Sequence, residues 1–155
     1  MRPMRRFAFA SAVFASAALL FACQPMVARM IVPLFGGAPQ VWIVCSLFFQ
    51  TLLLVGYAYA HAVTRLSPRA QVIAQVAIVA LALATMPIVV RDTSSAGPTV
   101  DLLVILARAV ALPFFVLATT SPVLSRWFAE TGDDDPYPLY AASNAGSLLA
   151  LLVYP

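Results

Sequence analysis

The stretch from Pro39 to Thr64, PQVWIVCSLFFQTLLLVGYAYAHAVT, decides the fold. It contains no Asp, Glu, Lys or Arg, shows no strict alternation of apolar and polar residues, and ends only where Arg65 begins a polar turn. A helix needs about 20 mostly apolar residues to cross roughly 30 Å of hydrocarbon, and this run is longer than that. Backbone groups in lipid must be bonded within their own segment or closed into a barrel, so an uninterrupted run of this kind reads as a transmembrane helix. Its start is marked by Ala38-Pro39, because proline's fixed φ and missing N–H suit the first helical turn and disrupt later ones.

The same mark recurs along the chain at Ser67-Pro68, Gly97-Pro98 and Asp135-Pro136, and Gly36-Gly37 closes the apolar run that precedes Pro39. These boundaries predict a single all-α transmembrane domain over residues 1–155. Its five spans are expected at about 6–35, 39–64, 68–90, 98–120 and 136–155. The first contains Pro25 and Pro33 and is expected to tilt, kink or split near Gln24-Pro25. Thr120-Ser121-Pro122 is read as the end of the fourth, followed by a short interfacial helix from Val123 to Ala129. The fifth is still apolar at Pro155, which reads as a truncated bundle.

Composition agrees. With 63% hydrophobic residues, 10% charged residues and a mean hydropathy of +0.94, too little polar side chain remains to coat a soluble globule. The net charge of +3 is small and scattered, which argues against a nucleic-acid surface. All nine basic residues are arginines, and their placement orients the chain. With the amino end in the cytoplasm, Arg2, Arg5, Arg6, Arg65, Arg69 and Arg126 lie inside and only Arg91 outside, as the positive-inside rule requires. Trp42, Tyr57, Tyr59 and Trp127 fall near span ends, where aromatic belts form. Leu20-Phe21-Ala22-Cys23 has the look of a lipoprotein cleavage signal, but the sequence after it stays apolar instead of turning polar. Cys23 and Cys45 are expected as buried thiols, since two cysteines without neighbouring Cys or His match no zinc spacing.

Polar groups inside spans are costly in hydrocarbon and usually face a bundle interior, a cavity or a partner. Arg29 and Arg108 are flanked by apolar sequence on both sides, and Arg108 lies deepest in its predicted span. Gln24, Gln50, Thr119, Thr120, Ser121, Ser143 and Asn144 supply further hydrogen-bonding groups. An intramembrane polar cavity built from Gln24, Arg29, Gln50, Arg108, Ser143 and Asn144 would favour a small anionic ligand, because a guanidinium offers a planar donor fork. The alternative is that both arginines reach toward an interface or bond to backbone carbonyls. Every carboxylate lies at a span end or in a loop, which argues against a proton relay of membrane-embedded acids. Asp133-Asp134-Asp135 reads as a solvated turn whose last member caps the fifth helix. His61 is expected to make an interfacial hydrogen bond, without an obvious partner. The small residues Ala141, Ala142, Ser143, Ala145, Gly146 and Ser147 offer a face that another helix can approach closely, with Asn144 placed to bond across it. No phosphate-binding loop or nucleophile elbow occurs, so no catalytic residue, cofactor or metal is expected.

Several ordered strings carry a resemblance. Gln24-Pro25-Met26-Val27-Ala28-Arg29-Met30, the run from Pro33 to Trp42, Phe48-Phe49-Gln50 and Gly56-Tyr57-Ala58-Tyr59-Ala60-His61 form the first set. Leu112-Pro113-Phe114-Phe115, Thr119-Thr120-Ser121-Pro122, Arg126-Trp127-Phe128-Ala129 and the run from Tyr140 to Leu151 form the second. Together they resemble the N-terminal membrane region of the bacterial spermidine-synthase-like membrane proteins, the fused major-facilitator/spermidine synthase family. The resemblance implies a multi-pass protein of the bacterial inner membrane. Any aminopropyl transfer would belong to a later soluble domain that is absent here, so the chain itself is expected not to be an enzyme. It also implies the bilayer as solvent, with a second copy or a separately encoded remainder as partner. The competing expectation is a transporter-type module that binds a small anionic metabolite.

Overall fold

The computed structural model describes residues 2–89, 97–130 and 136–154, and every regular element among them is a helix. These are α1 (Arg2–Phe35), α2 (Pro39–Val63), α3 (Pro68–Ala84), α4 (Pro98–Ala109), α5 (Ala111–Glu130) and α6 (Tyr137–Val153). Three of the proline marks behave as physical chemistry dictates. Ala38 and Ser67 are extended, with ψ of 145° and 150°, and a proline follows each as the first helical residue. Gly97 has φ of 115°, a conformation essentially reserved for glycine, and turns the chain into Pro98. The fourth mark is displaced by one residue: Pro136 is the N-cap and Tyr137 the first residue of α6. The expected cap at Asp135 lies outside the described residues, as does the rest of the Asp133 to Asp135 run. At the other end of α1, Gly36 takes φ of 75° and its N–H bonds to the Val32 carbonyl at 2.8 Å, a left-handed helix stop.

Four expectations are corrected. Of the tilt, kink or split expected of the first span near Gln24-Pro25, the split does not occur; α1 runs unbroken through Pro25 and Pro33. The third ends at Ala84 instead of residue 90, because the Thr85 N–H and hydroxyl both close on the Ala82 carbonyl and Pro87 follows. The fourth is not one straight helix. It breaks at Val110, and α4 and α5 meet at 61°. Pro113 explains the break: in a continuous helix it would lack the N–H owed to the Ala109 carbonyl. A restart at Ala111 places it in the first turn of α5, where that N–H has no partner to lose. Finally, Thr120-Ser121-Pro122 does not end a helix, and no separate interfacial helix follows. Pro122 sits inside α5, whose continuation is anchored by Val123 and Phe128, both fully buried.

Length then limits the count of spans. α1 and α2 are each long and apolar enough to cross a membrane, and α4 with α5 makes a third if the bent pair is one span. α3 and α6, of 17 residues each, rise only about 25 Å, short of the roughly 30 Å hydrocarbon layer. Five spans are therefore not established by length and composition, whereas every regular element among the described residues is a helix.

Packing fixes how the helices run. Phe9 meets Phe128 edge-on at 5.5 Å and the Ser16 hydroxyl donates to the Leu117 carbonyl at 3.0 Å, so α1 and α5 are antiparallel. Phe49 lies 4.7 Å from Phe114, and Gly56 abuts Ala118, so α2 and α5 are parallel. Trp127 bonds Gln71 and Thr119 bonds Gln75, which makes α3 antiparallel to α5. Gly146 of α6 presses on Phe14 and Ala18 of α1, with Leu139 beside Val13 and Tyr154 beside Arg29, so α6 runs parallel to α1. Taken in order, α1, α2, α3, the α4–α5 pair and α6 alternate in direction. The largest buried cluster joins α1, α2, α4 and α5 through Val27, Ile31, Phe49, Leu106 and Phe114. Large apolar side chains also cover the outer surface, with Ile43, Leu54, Ile73 and Leu152 all about two-thirds exposed or more.

Candidate functional site

The six residues expected to build one polar cavity are distributed over separate places. Gln24 of α1 and Gln50 of α2 do line one groove, of about 300 Å³, together with Trp42, Ser46 and Leu151. No arginine lines it. Arg29 is exposed on the next turn of α1, its guanidinium carbon 5.6 Å from the centre of the Tyr154 ring, within cation–π range. Arg108 is exposed in the last turn of α4, beside the bend at Val110. Ser143 lines a different cleft toward the start of α6, and Asn144 is exposed, its carbonyl accepting the Ser147 hydroxyl at 2.9 Å. Of the small residues on α6, Gly146 is the one buried against α1, so the close helix approach expected there is made within the chain.

A second polar feature is buried between α3 and α5. The Trp127 indole N–H donates to Gln71 Oε1 at 2.6 Å, and Gln71 Nε2 donates to the Leu66 and Thr64 carbonyls at 3.0 and 3.3 Å. These bonds tie the helix start to the turn that ends α2. One turn deeper, Gln75 Nε2 reaches the fully buried Thr119 hydroxyl at 3.4 Å, the weak end of the range, while Gln75 Oε1 has no partner among the described residues. Thr119 itself donates to the Val116 carbonyl. Thr119 was among the polar groups legible in the sequence; Gln71 and Gln75 were not singled out, although two glutamines four residues apart in an otherwise apolar helix mark one polar stripe. Amide, hydroxyl and indole groups join helices here.

The third feature lies at the end of the bundle where α1 and α6 begin and α2 and α5 finish. Two adjoining clefts, of about 540 and 430 Å³, share Tyr57, Pro122 and Arg126. The larger adds Ser121, Ser125, Tyr140 and Ser143; the smaller adds His61, Thr64 and Arg65. Arg126 Nε is paired with Glu130 Oε1 at 3.0 Å, an i,i+4 pair on the solvent side of α5. Arg65 Nη2 donates to His61 Nε2 at 2.8 Å, which gives the histidine the partner that sequence reading lacked. That partner is again four residues away on one helix face, the spacing at which side chains meet.

Cys23 and Cys45 are buried and unpaired, as expected of thiols in apolar segments. Among the described residues no group of three His, Cys, Asp or Glu side chains stands close enough to hold a metal ion. No protein-family profile, curated protein or solved structure matches the chain.

Proposed function

We propose that the chain is a multi-pass module of the bacterial inner membrane with no catalytic site of its own, corresponding to the N-terminal membrane portion of a spermidine-synthase-like membrane protein, its amino end in the cytoplasm. The observation that carries this reading is the alternation of helix direction, which brings the arginine-bearing ends together. Arg5 and Arg6 precede Phe9, which touches Phe128; Arg65 and Arg126 line one cleft; Arg69 lies in the first turn of α3, two residues before Gln71. Five arginines at that end, against Arg29 and Arg108 toward the other, with large apolar side chains covering the flanks, fit a bilayer and the bias of the positive-inside rule. A short α3 and α6 fit within such a bundle if their ends reach interfacial depth, since mismatch of a few ångströms is absorbed by local thinning at modest cost.

Two measurements test it. Membranes from cells expressing the chain are washed with high salt and alkaline carbonate; the protein stays in the pellet if it spans, and its release refutes the membrane reading. A single cysteine in place of Leu66, in a chain with Cys23→Ala and Cys45→Ala, is then probed with a membrane-impermeant maleimide. Labelling only after the inner face is opened is expected, and labelling in sealed, right-side-out vesicles inverts the topology. The family assignment is tested by the DNA beyond the Pro155 codon, which should encode further apolar spans and then a Gly-rich nucleotide-type domain; a frame without either counts against it.

The second reading, a transporter-type module for a small anionic metabolite, no longer centres on Arg29 and Arg108, which share no described cleft. Cationic donors converge instead at the arginine end.

A further inference from the structure

The joined clefts at the arginine end carry guanidinium groups, which the groove lined by Gln24 and Gln50 does not. Of the charged side chains among the described residues, Arg65 and Arg126 line these clefts, and Glu130 pairs with Arg126 from outside the lining. His61 Nε2 lies 2.8 Å from Arg65 Nη2, and both residues line the smaller cleft. Neither arginine is saturated by these bonds: Glu130 engages only Nε of Arg126, and His61 only Nη2 of Arg65. Tyr57, Ser121, Ser125 and Tyr140 add hydroxyls around the same space. Planar guanidinium donors, supplemented by hydroxyls, match the tetrahedral oxygens of a phosphate better than any neutral or cationic group. Each cleft also falls within the roughly 300–1,000 Å³ range of small-ligand sites.

We propose that this cleft binds a phosphate-type oxyanion, with Arg65 and Arg126 as the principal donors. The inference rests on the membrane reading only in placing the cleft near the headgroup layer, so the phosphate can come from an anionic phospholipid or from solution. The test uses the full chain purified in an uncharged maltoside detergent. Thermal unfolding is followed with inorganic phosphate against chloride at equal ionic strength, and separately with micelles doped with phosphatidylglycerol against phosphatidylcholine. Stabilisation by phosphate identifies a soluble oxyanion, and stabilisation by phosphatidylglycerol alone identifies a lipid headgroup. In either case Arg65→Gln and Arg126→Gln should each weaken the effect about tenfold or more in apparent Kd, the scale of losing one charge-assisted hydrogen bond. Arg108→Gln, remote from the cleft, should leave it unchanged. Both arginines are exposed, so the unliganded transition should stay where it is, which separates lost binding from lost fold. Absence of stabilisation by both probes, or an effect indifferent to both cleft substitutions, overturns the proposal while leaving membrane insertion untouched.

Discussion

Replacing Gly146 by alanine adds one methyl group to the contact of α6 with the backbone of α1. A Cβ built on Gly146 runs into the backbone carbonyl oxygen of Phe14, and stands 3.2 Å from its carbonyl carbon and 3.3 Å from the Ala18 nitrogen. Those atoms belong to the backbone of α1 and cannot rotate aside as a flexible side chain can. Relief therefore requires α6 to withdraw by about an ångström before the carbon–oxygen separation returns to van der Waals distance. Withdrawal loosens the rest of the seam, including Leu139, which is 1% exposed against Val13 and Phe128. Overpacking of this kind costs about 1–3 kcal/mol, and here the upper half applies because both partners are main chain. Alanine's better helix propensity returns about 1 kcal/mol, leaving a net loss of about 1–2 kcal/mol. Gly56 is the internal control, since its added Cβ would meet the Ala118 methyl at 3.0 Å and little else closely, so Gly56→Ala should cost clearly less. Unfolding by SDS titration in mixed micelles, followed by far-ultraviolet circular dichroism, measures both. A Gly146→Ala chain as stable as the parent, or one less affected than Gly56→Ala, refutes the reasoning.

Three further substitutions probe the buried polar seam and the core by the same titration. Trp127→Phe removes the indole donor and leaves Gln71 Oε1 buried without it, so a loss of about 1–2 kcal/mol is expected; an unchanged midpoint would show that the 2.6 Å bond contributes nothing. Gln75→Met runs the other way: it removes a buried amide whose oxygen has no partner among the described residues and whose nitrogen makes one weak bond, so stability should hold or rise by up to about 1 kcal/mol. A loss above that size would reveal a partner for the Gln75 oxygen. Phe114→Ala empties the centre of the α2–α5 contact, where the ring is fully buried against Phe49, and should cost about 3 kcal/mol or more; a loss below 1 kcal/mol would mean that the cavity collapses.

What the sequence made legible follows from how local each cause is. Helix starts at Pro39, Pro68 and Pro98 are encoded by single residues acting on their own φ and N–H, and the structure places them there. The stop at Gly36 is of the same kind. The ends of α3 and α4 were missed because proline acts backwards on the preceding turn, and its effect depends on whether packing holds the helix through it. Pro113 breaks the chain, while Pro122 is carried by Val123 and Phe128, yet both lie in equally apolar sequence. The polar sites depend on facing, which hydropathy does not encode when nearly every neighbour is apolar. Gln24 and Gln50 do meet in one groove, but the stripe of Gln71 and Gln75 acquires its meaning only from Thr119 and Trp127, 44 and 56 residues away along the chain.

Arg108 shows how one unseen break alters an electrostatic argument. In a straight helix from Pro98 to Thr120 it would sit about ten residues from either end, too deep for its side chain to reach water, and a buried counter-charge or ligand would be required. With the helix interrupted at Val110, it occupies the last turn of α4, where unpaired carbonyls concentrate partial negative charge and a cation is stabilised without any ligand. Arg29 is relieved differently. It lies six residues before the end of α1 and rests near the Tyr154 ring, so a chain of methylene groups can carry its charge toward the interface. Neither arginine therefore needs an anion to explain its presence in apolar sequence, whereas Arg65 and Arg126, which sequence reading assigned only to topology, converge on a cleft with donors to spare.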